Sequence, residues 1–360
     1  MEKQVLEIEK FNCTNCGAEL KYQPGTSYLL CQYCNASNEI PISSEHIEEL
    51  DFDAFVNSAI KQEDQTTESY VKCGSCGASE TVEPNITSAN CVYCGTSLVI
   101  ENATDEVIVQ PKSLLPFELN KNQARDLFKN WINGLWFAPN KLKKATLNFD
   151  HFKGVYVPFW TFDAQTCNIY TGQRGTYFYV TETSMSNGKP QTKQVRRTNW
   201  STVQGSVSVS FDDILVVATK SLAPEHLKKL EPWDLPNLIP FEKSFLSGLT
   251  SEKYQIDLTE GFAKAKELTD REIRMTVNQD IGGDEQRILT LKSQYNNVTF
   301  KHILLPVYVI TYRYKNNLYQ FLINARTGKI HGQRPWSWIK IAGIILLGIV
   351  LIAVIFIALQ

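Results

Sequence analysis

The chain reads as an α+β protein built in series: two small four-cysteine zinc ribbons, a β-rich α+β domain, and one C-terminal transmembrane helix. Three observations predict this. Eight of the nine cysteines fall in four C-x-x-C pairs before residue 95, the stretch 103–335 alternates strand-like runs with turn residues and helical stretches, and residues 341–359 carry no charge. The expected segments are 1–42 (first ribbon), 43–68 (an acidic helical linker), 69–102 (second ribbon), 103–335 (the α+β domain) and 336–360 (the anchor).

The cysteines come first. Cys13, Cys16, Cys31 and Cys34 have the form C-x2-C-x14-C-x2-C, and adding 60 to each gives Cys73, Cys76, Cys91 and Cys94. The flanks repeat too: Cys13-Thr-Asn-Cys-Gly-Ala18 against Cys73-Gly-Ser-Cys-Gly-Ala78, and Gln32-Tyr33-Cys34 against Val92-Tyr93-Cys94. This is an internal duplication. Two thiolates two residues apart on a tight turn fill two corners of a tetrahedron, and a second such knuckle fills the others. The residue after each knuckle is Gly17, Gly77, Gly95 or Asn35. Glycine and asparagine are the residues that best tolerate a left-handed backbone there. Pro24-Gly25 and Pro84-Asn85 are expected turns of the intervening hairpins. Met1-Glu2-Lys3-Gln4 opens no apolar signal segment, so the cysteines are expected in a reducing cytosol as metal ligands. Two Zn²⁺ ions are the expected cofactors; rubredoxin-like iron, a redox dithiol and disulfides are the competing readings. A ribbon of about 35 residues is too small to fold on apolar burial alone, so metal should supply most of its folding free energy.

The linker Ser43–Glu68 holds eight acidic residues against Lys61. Ile47, Leu50, Phe52, Phe55, Val56 and Ile60 recur at roughly helical spacing and predict an amphipathic helix.

At the other end, Ile341 to Leu359 gives 19 uncharged residues, long enough for a hydrocarbon core at about 1.5 Å per residue. Trp336 and Trp338 stand where an aromatic belt belongs, and Arg334 and Lys340 flank the same side. The positive-inside bias keeps the N-terminal bulk in the cytosol, so the expectation is a single-pass cell-membrane protein.

Between these ends, Val107–Pro111 and Leu114–Phe117 read as an entering strand. Asn120 caps a helix running to about Asn133. Strand signals follow at Gly154–Phe162, Cys167–Tyr170 and Thr176–Thr181, with a turn at Asn187–Pro190 leading back through Gln194–Val203, Val207–Phe211 and Ile214–Ala218. Helices are expected near Pro224–Leu230 and Leu258–Asn278, and closing strands at Ile288–Lys292, His302–Tyr314 and Leu318–Asn324, the last pair joined at Lys315-Asn316-Asn317. No phosphate-binding loop, nucleophile elbow or H-E-x-x-H occurs. His46, His151, His226, His302 and His331 are scattered and read as surface or satisfied residues. Cys167, in a strand with no nearby His, reads as a buried structural cysteine. Two basic clusters stand out, Lys141/Lys143/Lys144 and Lys189/Lys193/Arg196/Arg197. They are either a solvated face or a contact with anionic headgroups.

The double ribbon, Val157-Pro-Phe-Trp-Thr-Phe-Asp-Ala-Gln-Thr166, Tyr170-Thr-Gly-Gln-Arg-Gly175, Phe321-Leu-Ile-Asn-Ala-Arg-Thr-Gly-Lys-Ile330 and the C-terminal span together resemble a family of bacterial membrane-associated proteins. That family is labelled TFIIB-type zinc-ribbon, and sometimes primosomal replication-restart helicase. The resemblance covers nearly the whole chain. It implies a membrane platform acting beside flotillin-like (SPFH) proteins and envelope-stress adaptors, hence scaffolding rather than chemistry. The helicase label does not carry over, because the sequence holds no helicase motor.

Charge bears on the choice of partner. The 360 residues carry a net −2, yet residues 1–102 hold five basic and 16 acidic side chains, a net of −11, and the remainder holds 31 − 22 = +9. Each zinc tetrathiolate would add a formal −2 to the head. Such a head repels phosphates, so nucleic acid is the disfavoured partner. The expected role is a non-enzymatic scaffold recruiting a cytosolic or membrane-associated protein, with its acidic head standing off the bilayer that residues 341–359 enter.

Overall fold

The computed structural model describes residues 11–43, 46–57, 65–81, 89–99, 103–139, 152–186, 189–314, 317–333 and 337–359. The expected turns at Pro84-Asn85, Asn187-Gly188 and Lys315-Asn316, the Lys141–Lys144 cluster, His151, Ile60, Arg334 and Trp336 lie outside these residues.

The N-terminal part holds β1 (Leu20–Tyr22), β2 (Tyr28–Cys31), β3 (Ser37–Glu39), β4 (Leu50–Asp51), α1 (Phe52–Asn57), β5 (Gln65–Lys72), β6 (Ser79–Thr81), β7 (Ala89–Asn90), β8 (Ser97–Leu98) and β9 (Thr104–Val109). The body follows with β10 (Ser113–Leu114), α2 (Lys121–Gly134), β11 (Phe152–Ser186), β12 (Lys189–Val217), α3 (Pro224–Lys228), β13 (Ile239–Pro240), β14 (Thr250–Ser251), α4 (Leu258–Ile281), β15 (Glu285–Tyr314), β16 (Asn317–Asn324) and β17 (Ile330–Gly332). Last comes α5 (Trp338–Ala358). The chain is therefore α+β, with extensive sheet and a C-terminal apolar helix.

Three very long antiparallel strands, in the order β12-β11-β15, form the spine. Where the sequence suggested three short strands between 154 and 181, β11 runs unbroken for 35 residues. The polar segment Asp163-Ala-Gln-Thr166 shifts the register with both neighbouring strands but does not end the strand, because a strand open to water on one face tolerates polar residues at alternate positions.

That alternation also sorts the layers. In β11, Phe152 and Tyr156 face one side, with Leu304, Tyr308 and Ile310 of β15. Val155, Val157 and Phe159 face the other, with Ile303, Leu305, Val307 and Val309. The first side packs against the first ribbon through Leu20, Tyr22 and Leu29, and against α2 through Ala124, Phe128 and Ile132. The second packs against the second ribbon through Val71, Tyr93 and Leu98, and against α3 through Leu227. The two ribbons are thus clamped on opposite faces of one sheet, and neither stands apart from the body. This answers the size problem, since each ribbon borrows the body's apolar core.

Helix α2 starts at a capping box in which Asn120 accepts from Gln123 N and Gln123 accepts from Asn120 N. Helix α4, capped by Asp257, lies farther along the first face. Its Phe262 and Ala265 meet Trp160 and Phe162, and its Ile273, Val277 and Ile281 meet Tyr170.

Among the described residues of the linker, the expected amphipathic helix is present as α1, Phe52–Asn57. Leu50 and Asp51 instead pair with Phe300 and Thr299 as an added strand, and Glu68 lies within β5. Part of the acidity is structural, since Glu49 Oε1 meets Lys301 Nζ at 2.9 Å while Asp213 meets it at 3.0 Å. Within the described part of α1, Phe52 docks on Phe262 and Phe55 on Phe300.

Candidate metal centres

Each knuckle is a tight turn closed by its own backbone. Gly17 N donates to Cys13 O and Cys13 N to Ala18 O, both at 2.8 Å. Asn35, Gly77 and Gly95 close the other three in the same way. The four residues after the knuckles sit at φ of 75°, 58°, 79° and 72° for Gly17, Asn35, Gly77 and Gly95. These are the left-handed positions that the residue types predict.

The result is two four-cysteine clusters, Cys13/Cys16/Cys31/Cys34 and Cys73/Cys76/Cys91/Cys94, with all sulfurs of a cluster within 4.8 Å of one another. The Sγ separations are 3.6 Å for Cys13–Cys34, 3.5 Å for Cys16–Cys31 and 3.6 Å for both Cys73–Cys94 and Cys76–Cys91. A disulfide would need about 2.05 Å. A tetrahedron with metal–sulfur bonds of about 2.3 Å has edges of about 3.8 Å, so both clusters are positioned to hold a metal ion. Cys16 and Cys76 are the exposed corners.

The surroundings of the clusters differ. The first touches solvent on its outer side, where Tyr33 is 83% exposed, whereas its repeat counterpart Tyr93 is 0% exposed. Tyr93 Oη donates to Glu252 Oε2 at 2.6 Å. Its carbonyl accepts from Thr311 Oγ1 at 3.0 Å and from Gln320 Nε2 at 2.7 Å. Glu80, also buried, accepts from Val92 N at 3.1 Å. Glu252 further accepts from Thr219 Oγ1 at 2.6 Å and from Ser221 Oγ. Burial pushes the Glu252 carboxyl up to about 7, against the pull of those hydroxyl donors. Burial raises Glu80 as well. Around Cys94 burial is outweighed by hydrogen bonds from Thr96, which hold its thiol down at about 7. Burial, with the Glu80 carboxyl beside it, pushes Cys91 the other way.

Some of these features had no sequence signal. Glu80, Tyr93 and Glu252 form one buried network only because β6 and the segment leading from β14 meet at Glu80 and Glu252. His226 and His331, read as scattered, are brought together with Nδ1 and Nε2 2.9 Å apart. Cys167, expected to be buried, is only partly so, with its Sγ 3.6 Å from Ser206 Oγ. Its position faces the open side of the sheet. A further feature without a sequence signal is a cavity of about 910 Å³ alongside residues 214–217 of β12, walled by Leu227, Trp233 and Leu235 on one side and by Lys264, Glu267 and Leu268 on the other.

At the C-terminal end, residues Lys340–Ala358 form a helix long and apolar enough to cross a membrane, with none of it buried against the rest of the protein. Its base is held by Ser337 N donating to Phe137 O at 2.8 Å, and by Lys340 Nζ donating to Trp136 O and Ala138 O at 2.9 Å.

The fold and sites define an α+β protein with two tetracysteine centres and one apolar C-terminal helix. The chain is similar to the uncharacterized protein YdjG of Bacillus subtilis (strain 168), being 25% identical over 344 residues that cover 93% of this chain and 92% of that protein. No family model matches the chain, and no solved structure matches it.

Proposed function

We propose that the chain is a membrane-anchored zinc-ribbon adaptor of the double zinc-ribbon type, non-enzymatic, whose cytosolic body recruits a protein partner. Zn²⁺ fits the eight cysteines because it favours four soft thiolates in a closed tetrahedron. Helix α5 enters the bilayer and leaves the remainder in the cytosol. Flotillin-like proteins in envelope stress are the partner class that the family resemblance implies.

The observation that carries the recruiting role is the groove beside β12. That strand is the edge of the main sheet, and the cavity is lined by Ile214, Leu215, Val216 and Val217 from both of its faces. A groove that follows a strand edge, with Leu227, Trp233 and Leu235 on one wall and Lys264, Glu267 and Leu268 on the other, fits an extended peptide adding to the sheet, with main-chain bonds for affinity and pockets for alternate side chains. The test is affinity purification of the full chain from detergent-solubilised membranes, compared with a Leu215→Lys/Leu268→Glu variant. The variant should lose a partner while keeping two metal ions and membrane fractionation. Identical partner sets, or sub-micromolar binding of single-stranded or duplex DNA at about 0.15 M salt, would defeat the adaptor reading.

A further inference from the structure

Beyond Gly175 the sheet narrows. β15 begins at Glu285 opposite Gly175, and α4 has already ended at Ile281. Asp284 closes the edge at this root: its N–H donates to Gly175 O at 2.8 Å and its Oδ2 accepts from Tyr177 N at 2.7 Å. From Thr176 to Ser186, β11 therefore pairs only with β12, from Asn199 back to Lys189. This is a two-stranded arm reaching about 35 Å past the last covered residue. Isolated two-stranded ribbons are marginal in water, so an arm of this length calls for something to lie against.

Its composition says what. Between 176 and 199 the arm carries Lys189, Lys193, Arg196 and Arg197 against Glu182, a net of 4 − 1 = +3. Phe178 is 44% and Tyr179 65% exposed. Register sorts these residues. Phe178 is opposite Arg197, Val180 opposite Val195, and Glu182 opposite Lys193. One face thus presents Phe178, Val180 and Val195 flanked by Arg197 and Lys193, with Arg197 Nη2 bridging to Glu182 at 2.6 Å. The other presents Tyr179, with the Arg196 guanidinium 4.2 Å over the Tyr177 ring.

We propose that this arm, residues 176–186 and 189–199, is a second, electrostatic contact with an anionic bilayer, through the Phe178/Val180/Val195 face and its cations. Aromatic rings level with headgroups and Lys/Arg beside anionic lipid are the chemistry of a membrane interface. The proposal rests on α5 being a membrane anchor, and it requires the long sheet to lie along the bilayer, since the base of α5 at Phe137 is near the Phe152 end of β11 and the arm is at the other end.

Hydrogen exchange read by mass spectrometry on the full chain tests this, in nanodiscs of phosphatidylcholine alone and of phosphatidylcholine with one third phosphatidylglycerol. The arm amides should exchange at least about tenfold more slowly on the anionic discs. A Lys193→Glu/Arg197→Glu variant should lose that protection, and so should the unaltered chain at about 1 M salt, where the Debye length falls to about 3 Å. Equal exchange in both lipids overturns the proposal. So does protection in neutral discs that grows with protein concentration, which would assign the arm to a second copy, or that requires added oligonucleotide. The α5 amides report separately. If they exchange freely in both lipids the anchor reading fails, whereas slow α5 exchange with an indifferent arm sinks the arm alone.

Discussion

Tyr93 Oη and Glu252 Oε2, 159 residues apart in sequence, meet at 2.6 Å behind the second tetracysteine cluster. That contact makes the second centre part of the body rather than an appendage. Tyr93→Phe removes a donor from a buried carboxylate, which costs about 1–3 kcal/mol. Thermal unfolding of the detergent-solubilised chain should move down, and a chelator should strip the second metal ion faster than the first. Unchanged release from both sites would show that the hydroxyl contributes nothing to the second centre.

Native mass spectrometry of the full chain should find two metal ions, and elemental analysis should find zinc. Cys34→Ser should keep one ion, because each cluster closes on its own four sulfurs. Since the first ribbon shares its core with α2 and β15, the loss should also loosen Phe117 and Tyr308 on that face, seen as faster amide exchange there. Loss of both ions from the single substitution would refute independent sites.

Glu252 sets a pH dependence. Burial lifts its folded value to about 7 against 4.5 ordinarily. The folded state therefore binds this proton more tightly than the unfolded chain. Stability falls as pH rises from about 4.5 to about 7 and falls no further above, a total on the order of 3 kcal/mol. Between pH 5.5 and 8 the unaltered chain should lose melting temperature relative to Glu252→Gln, whose amide cannot titrate. Parallel curves for the two proteins would rule this out.

Close packing predicts a contrast between two glycines. A Cβ on Gly172 would lie 2.6 Å from Ile281 Cδ1 and 2.8 Å from Arg287 backbone O, while one on Gly134 meets nothing within 4 Å. Gly172→Ala should destabilise by about 1–3 kcal/mol. Gly134→Ala, near the end of α2, should be neutral or stabilising by up to about 1 kcal/mol. Chemical unfolding of both variants is the check, and equal midpoints would contradict the tight α4–β11 contact.

Removing residues 336–360 should release the protein from the membrane fraction after a high-salt wash. Residual sedimentation confined to low salt is expected of the basic arm. Salt-resistant sedimentation would require a second hydrophobic attachment.

The sequence alone determined what depends on local chemistry. Eight cysteines at fixed spacing, with glycine or asparagine after each knuckle, specify two clusters positioned to hold a metal ion without any knowledge of the fold. The reason is that ligand geometry and left-handed turns are decided within a few residues. The uncharged span 341–359 and the Asn120 cap were legible for the same reason. The tertiary structure decided what depends on long-range contact. Tyr33 and Tyr93 occupy the same place in the repeat, yet one is in water and the other wholly buried. The spacing of the repeat does not distinguish them; Glu252, Thr311 and Gln320 of the body do, by bonding to Tyr93. The continuity of β11 was hidden because polar residues on an open face resemble breaks between strands. The placing of the ribbons on opposite faces, the groove beside β12 and the uncovered arm all follow from side-chain alternation across paired strands. That alternation acquires a direction only once the strands are in register.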